Sequence, residues 1–121
     1  MSRNILDEAH IHPAIRARIS DYRRDLVAEV QAAIAANTVV VVGMGLNPFP
    51  RKARQILEAN GTPYKYLSYG NYFSEWRPRT ALKMWTGWPT FPMIFVKGVL
   101  IGGATDLQRL IKSGEFATMV A

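Results

Sequence analysis

Residues 90–103 read TFPMIFVKGVLIGG, and this stretch decides the fold of the chain. Met93 to Val96 form a short apolar run rich in β-branched and aromatic residues, which is typical of a buried strand. Lys97-Gly98 is a two-residue turn signal, and Val99 to Ile101 supply a second apolar run. The stretch therefore predicts a β-hairpin.

The elements predicted before the hairpin belong to an α/β chain. Thr38 to Val42 is an unbroken β-branched run, typical of a strand buried on both faces, so we expect it in the centre of the sheet. The complete predicted order is a helix at 13–36, a strand at 38–42, a helix that ends at Asn60-Gly61, a strand at 64–68, a helix within 74–85, the hairpin strands at 93–96 and 99–101, and a helix at 105–112 capped by Thr105. This order predicts an α/β fold in which helices flank a mixed four-stranded sheet.

Length and composition indicate one soluble globular domain. The chain has 121 residues, of which 49% are hydrophobic and 20% are charged. We assign residues 1–23 to an N-terminal arm and the start of the first helix, and residues 24–121 to the domain itself. The longest apolar run, at 38–44, is too short to cross a bilayer, and the chain does not begin with an apolar leader segment. These features predict a cytoplasmic protein without a membrane partner.

The absence of cysteine limits the chemistry more than any other feature. The sequence contains no cysteine at all. A thiolate is the nucleophile of disulfide exchange and a ligand of zinc and iron–sulfur centres. The chain therefore cannot form a disulfide, present a redox nucleophile or bind a metal through sulfur.

Three motifs at a characteristic separation resemble those of the glutaredoxins. They are LKMWTGWPTFP at residues 82–92, FVKG at 95–98 and IGG at 101–103. The resemblance is strongest to the monothiol branch, in which a Trp-Pro-Thr-x-Pro segment precedes a strand that ends in Gly-Gly. It covers residues 24 to 118 and implies a thioredoxin-like fold with an extra N-terminal helix and arm. It also implies thiol–disulfide oxidoreductase activity, which the missing cysteine argues against.

The family's nucleophilic cysteine is replaced here. In glutaredoxins a Cys-Gly-Phe-Ser or Cys-Pro-Tyr-Cys motif opens the helix after the first strand, and by resemblance this motif falls on Asn47-Pro48-Phe49-Pro50. A carboxamide at Asn47 cannot attack a disulfide. The family's glutathione-binding lysine falls on Met44. We therefore expect no catalytic residue, no required cofactor and no [2Fe-2S] cluster, because the protein's share of the cluster thiolates is missing.

The resemblance also implies that the peptide-binding half of the site is retained. The residues it assigns to glutathione are Phe49, Arg79, Lys83, Thr90, Phe91, Pro92, Gly103, Ala104 and Thr105. If Pro92 is cis, Thr90 and Phe91 before it would pair with an extended peptide, and the amides of Ala104 and Thr105 at a helix N-terminus suit a carboxylate. Arg79 and Lys83 lie one helical turn apart and suit the carboxylate at the peptide's other end. The family usually has an Asp or a Cys-Asp after the Gly-Gly, where this chain has Ala104-Thr105 with Asp106 one place further on, so weaker binding is expected.

Two functional hypotheses follow from these residues. The first is a domain that binds glutathione or a related thiol peptide without catalysis and serves redox homeostasis. The alternative is a protein–protein interaction module of thioredoxin fold with no small-molecule ligand, including a homodimer aided by the long N-terminal helix. Binding of glutathione discriminates between them.

The basic charge and the two histidines suggest further ligands, which we consider weaker hypotheses. The net charge of +6 favours an anionic partner. A nucleic-acid patch would comprise Arg16, Arg18, Arg23, Arg24, Arg51, Lys52 and Arg54. No nucleic-acid-binding motif accompanies these residues, so a solvated basic surface is the preferred interpretation. His10 and His12 lack a third ligand nearby, so we expect no metal site.

Overall fold

The computed structural model describes residues 4–21, 24–43, 48–69 and 76–121. Their elements, in chain order, are a short 3-10 helix (Glu8–His10), α1 (Pro13–Asp21), α2 (Arg24–Ala36), β1 (Val39–Gly43), α3 (Pro48–Ala59), β2 (Lys65–Ser68), α4 (Trp76–Thr86), β3 (Met93–Val96), β4 (Val99–Gly102), α5 (Ala104–Ser113) and α6 (Glu115–Val120). The helix predicted at 13–36 corresponds to α1 and α2, and residues 22 and 23 between them lie outside the described residues.

The sheet has four strands in the order β2-β1-β3-β4. Strand β1 pairs in parallel with β2 and antiparallel with β3, and β3 forms the hairpin with β4. The predicted mixed sheet with a central first strand is therefore confirmed. All five residues of β1 are buried, as its unbroken apolar run predicts, because helices cover both faces of the sheet.

Two hydrophobic cores lie on opposite faces of the sheet. Val40 and Val42 point into the first core, which α2 and α4 cover. Val39 and Val41 point into the second, which α3, α5 and α6 cover. Because successive side chains of a strand point to opposite faces, the two cores share the same central strands.

The hairpin turn has the backbone conformation that its sequence predicts. Lys97 has a φ of 48° and Gly98 has a φ of 81°. Positive φ at both central residues is the requirement of a type I′ turn, whose twist matches that of the flanking strands.

The C-terminal helices differ from the prediction in two respects. Thr105 was expected to cap α5, but the N-cap is Gly103, and the Asp106 carboxylate accepts a hydrogen bond from the Gly103 N–H at 2.9 Å. Helix α6 was not predicted. Gly114, with a φ of 83°, ends α5 in the left-handed conformation, and Phe116 in α6 is only 1% exposed in the second core. Tertiary packing through Phe116 stabilises this helix. Its six residues are too few to give a helical pattern in the sequence.

None of the helices in the described residues is both long enough and apolar enough to span a bilayer.

Candidate functional site

Strand register brings two loop segments to the edge of the sheet where β1 ends. Val42 near the end of β1 pairs with Met93 at the start of β3, and Ile94 pairs with Gly102 at the end of β4. The segment at 90–92 and the segment at 103–105 therefore lie at the same edge. These segments carry most of the residues that the sequence assigns to glutathione.

The segment before β3 combines one exposed and two buried residues. The Phe91–Pro92 peptide bond is cis. Phe91 is 7% exposed, with its ring in the first core, and Pro92 is also buried, while Thr90 is exposed. A methyl group in place of the Gly103 hydrogen would stand 3.6 Å from the Pro92 carbonyl oxygen. The backbone at Pro92 and the start of α5 are therefore direct neighbours.

The start of α5 is built around the Asp106 carboxylate. Gly102 has a φ of 107°, a backbone conformation that favours glycine, and a Cβ there would clash with the Asp106 carboxylate unless that side chain moved. Ala104 is 5% exposed and packs in the second core, whereas Thr105 is exposed. The amides of the first helical turn have no acceptor within the helix. The positive end of α5 therefore faces the same edge as Thr90.

One of the two predicted cations lies beside the Phe91 ring. Lys83 on α4 is exposed, and its Nζ lies 5.9 Å from the centroid of the Phe91 ring. Arg79 lies one turn earlier on α4, and Phe49 lies in the first turn of α3, but their side chains are outside the description. Asn47 and Met44 lie outside the described residues. The structure thus brings together Lys83, Thr90, Phe91, Pro92, Gly103, Ala104 and Thr105.

The Trp-rich segment before the cis proline packs against the same core as Phe91. Trp85 and Trp88 pack against the first core, and the Trp85 and Phe95 ring centroids are 6.0 Å apart. The Trp88 backbone N–H donates to Thr86 Oγ1 at 3.0 Å, and that hydroxyl donates to the Leu82 carbonyl at 2.9 Å. These contacts fix the path of the chain from α4 to the cis proline.

Sequence reasoning missed Tyr69, which ties this edge of the sheet to α2. The Tyr69 N–H donates to the Gly43 carbonyl at 2.9 Å, and its hydroxyl donates to Glu29 Oε1 at 2.8 Å. Burial raises the pKa of the Tyr69 phenol well above its ordinary value, and the bond to the Glu29 carboxylate raises this pKa further. No local signal points to the pair, because 40 residues separate the two side chains.

His12 has a structural role in the described part of the chain. Its Nδ1 accepts a hydrogen bond from the Ala14 N–H at 3.1 Å, at the start of α1. Among residues 4–21, 24–43, 48–69 and 76–121, no group of three or more His, Cys, Asp or Glu side chains is arranged to hold a metal ion.

Comparison with known proteins identifies the family. A family model described as Glutaredoxin matches residues 46–101. A glutaredoxin-like protein of Dictyostelium discoideum is 46% identical over 96 residues, which cover 79% of this chain and 78% of that protein. A mitochondrial glutaredoxin-2 of Pongo abelii is 35% identical over 99 residues, and the match covers 78% of this chain but only 58% of that relative. A chloroplastic bifunctional monothiol glutaredoxin of Arabidopsis thaliana is 36% identical over 72 residues, 60% of this chain and 25% of that protein.

Solved structures show the same fold. A buckwheat glutaredoxin, solved as a complex with glutathione, superposes with a TM-score of 0.68 over 80% of this chain and 88% of its own, at 21% sequence identity. A wheat glutaredoxin superposes with a TM-score of 0.66 over 80% of this chain and 90% of its own, at 26% identity. The thioredoxin-like fold is therefore confirmed. From its motifs, its fold and these relatives, we conclude that this cysteine-free chain belongs to the glutaredoxin family.

Proposed function

We propose that this chain is a non-catalytic glutaredoxin that binds glutathione, or a related thiol peptide, in the cytoplasm and serves redox homeostasis without reacting with its ligand. One observation supports the proposal above the others. The backbone of Gly103 lies against the Pro92 carbonyl, so the two peptide-binding segments meet at one edge of the sheet although the chain has no cysteine.

The charges at this edge are complementary to a small peptide with a carboxylate at each end. The amides of Ala104 and Thr105 lie at the positive end of α5 and suit one carboxylate. Lys83 is exposed next to Phe91 and suits the other. The buckwheat glutaredoxin of the same fold was solved with glutathione, which is a peptide of this kind.

The same residues argue against catalysis. Disulfide exchange needs a thiolate, and the family position for it is occupied by Asn47, whose neutral amide cannot form a mixed disulfide. The donor set does not fit a [2Fe-2S] cluster either, because the protein has no thiolate to offer. We therefore assign binding, and no step of bond formation or cleavage, to this site.

Weak affinity is expected. Two charged contacts of the family are missing, namely the lysine replaced by Met44 and the aspartate replaced at Ala104-Thr105. A hydrogen bond to a charged group contributes about 1.5–3 kcal/mol, so each loss lowers affinity by roughly tenfold or more. Binding in the millimolar range, near the concentration of glutathione in cells, is the expected result.

The test is a glutathione titration followed by amide chemical shifts. The wild-type protein is titrated up to about 10 mM, a concentration that detects weak millimolar binding. An Asn47→Cys variant is titrated in parallel and assayed for disulfide reductase activity. We expect both proteins to bind, with shifts at Thr90, Ala104 and Thr105, and activity in the variant alone.

Two lysine variants provide matched controls. Lys83→Ala removes a cation at the site and should weaken binding by roughly tenfold or more. Lys112→Ala removes the same charge from the last turn of α5, about 12 Å along the helix from Ala104, and should have no effect. Absence of any shift in the wild type, or equal effects of both lysine variants, would overturn the proposal.

A protein–protein interaction module is the second candidate function. It is supported by an apolar groove that α1, α2 and α4 line. This alternative has no small-molecule ligand, so a wild-type protein that binds no glutathione in the titration above would favour it.

A further inference from the structure

A groove lies where α1 meets α2 and α4, away from the edge that carries the cis proline. Its volume is about 390 Å³. Ile19 comes from α1, Val27 from α2, and Met84 and Trp85 from α4. Ile19 is 44% exposed and Met84 is 51% exposed. The groove therefore leaves apolar side chains in contact with water, which is typical of a surface that another chain covers.

The N-terminal arm presents a complementary apolar pair. Residues 4–10 are all exposed, and Ile5 and Leu6 are 66% and 64% exposed. Asp7 and Glu8 follow directly, so the arm is an aliphatic pair joined to an acidic pair. Neither aliphatic side chain is buried by its own molecule.

The groove carries the opposite charge to the arm. Arg24 lines it. Arg16 lies three residues before Ile19 on α1 and so shares its helix face. The Arg16 Nε atom is buried and has no acceptor among the described residues. A guanidinium has further N–H donors besides Nε, and a carboxylate brought to this face would pair with those.

We propose that the arm of one molecule occupies the groove of a second copy of this chain, with the exchange repeated by two-fold symmetry. Ile5 and Leu6 would cover Ile19 and Met84, and Asp7 and Glu8 would face Arg16 and Arg24. The arm does not fill its own groove, since its aliphatic side chains are exposed. Pro13, where the arm joins α1, lies about 9 Å along the helix from Ile19. In such a dimer each molecule contributes one arm and one groove, so the same contact is made twice, as in an isologous dimer.

Sedimentation equilibrium of the full chain tests the assembly without glutathione. The wild type should be dimeric at micromolar concentration. Leu6→Asp and Met84→Glu should each raise the dissociation constant by roughly 100-fold, because each places a charge in the apolar contact. Val99→Asp changes a residue that is 56% exposed on β4 and should leave the dimer intact.

The absence of cysteine allows the pairing to be trapped directly. Leu6→Cys protein is mixed with tagged Met84→Cys protein and oxidised, and a disulfide-linked mixed dimer is expected on a non-reducing gel. Leu6→Cys mixed with Val99→Cys should give none. A wild-type monomer at every concentration, a dimer unaffected by Leu6→Asp, or equal trapping at both positions would overturn the proposal. None of these readouts depends on glutathione binding.

Discussion

At the scale of single residues, Asp106 holds the start of α5 in place, at the edge of the sheet that carries the cis proline. Its carboxylate accepts the Gly103 N–H, and its Oδ2 stands so close to Gly102 that a Cβ there would clash with it unless the Asp106 side chain moved. The Gly-Gly pair and Asp106 therefore form one unit. Asp106 accepts the N–H of the N-cap residue, whereas the amides of Ala104 and Thr105 in the first turn have no acceptor within the helix.

We expect Asp106→Ala to lower the free energy of unfolding by about 1 kcal/mol, because the Gly103 N–H loses its acceptor. Urea denaturation measures this change. Arg109→Ala is the control, since it removes only an ion pair of 3.9 Å whose arginine side chain is 78% exposed. It should change stability by less than about 0.5 kcal/mol. Equal losses in the two variants would contradict a capping role.

At the scale of elements, the Tyr69 hydroxyl joins the end of β2 to α2. Its pKa is higher in the folded chain than in the unfolded chain, because burial and then the Glu29 carboxylate disfavour the phenolate. The stabilisation that results is complete below about pH 10, the ordinary phenol pKa. It is lost as the pH rises through the folded pKa, because the unfolded state releases its proton first.

The stability of the wild type should therefore fall more steeply above pH 10 than that of Tyr69→Phe, which has no phenol to ionise. Urea denaturation at a series of alkaline pH values measures both slopes. Glu29→Gln serves as a second variant. It removes the carboxylate but not the burial, so its total loss of stability at alkaline pH should lie between those of the other two. Parallel slopes for wild type and Tyr69→Phe would show that the hydroxyl contributes nothing.

At the scale of the whole molecule, we expect the two cores to unfold together, because they share the same strands. Strand β1 supplies Val40 and Val42 to one core and Val39 and Val41 to the other. Loss of either core exposes one face of a strand that the other core needs. A single cooperative transition is the expected behaviour of a domain of this size.

Phe116→Ala should lower the free energy of unfolding by about 3–5 kcal/mol, because the side chain is 1% exposed and leaves a cavity. The loss should appear equally in far-UV circular dichroism and in tryptophan fluorescence, although Trp85 and Trp88 pack on the opposite face. Thr118→Ala, at an exposed position of α6, should change stability by less than about 0.5 kcal/mol. If Phe116→Ala left the fluorescence transition unchanged, the two cores would not unfold as one unit, which would contradict the role of the shared strands.

Local patterns account for most of the fold. The hairpin strands begin where the apolar runs begin, Lys97-Gly98 adopts the turn its residues predict, and the unbroken run at β1 is the buried centre of the sheet. These features follow from side-chain chemistry within a few residues of each other. The family was also predictable, since its motifs lie in one continuous stretch from 82 to 103.

The sequence by itself determined the absence of thiol chemistry, because a missing cysteine is a fact of composition. Tertiary structure decided which groups meet. It placed Gly103 against Pro92, bonded Tyr69 to Glu29, moved the cap of α5 from Thr105 to Gly103 and Asp106, and packed α6 through Phe116. Each of these features depends on contacts between elements or on a choice between competing helix caps. The energy of such contacts arises only when the chain is folded, so the local preferences of the sequence do not predict them.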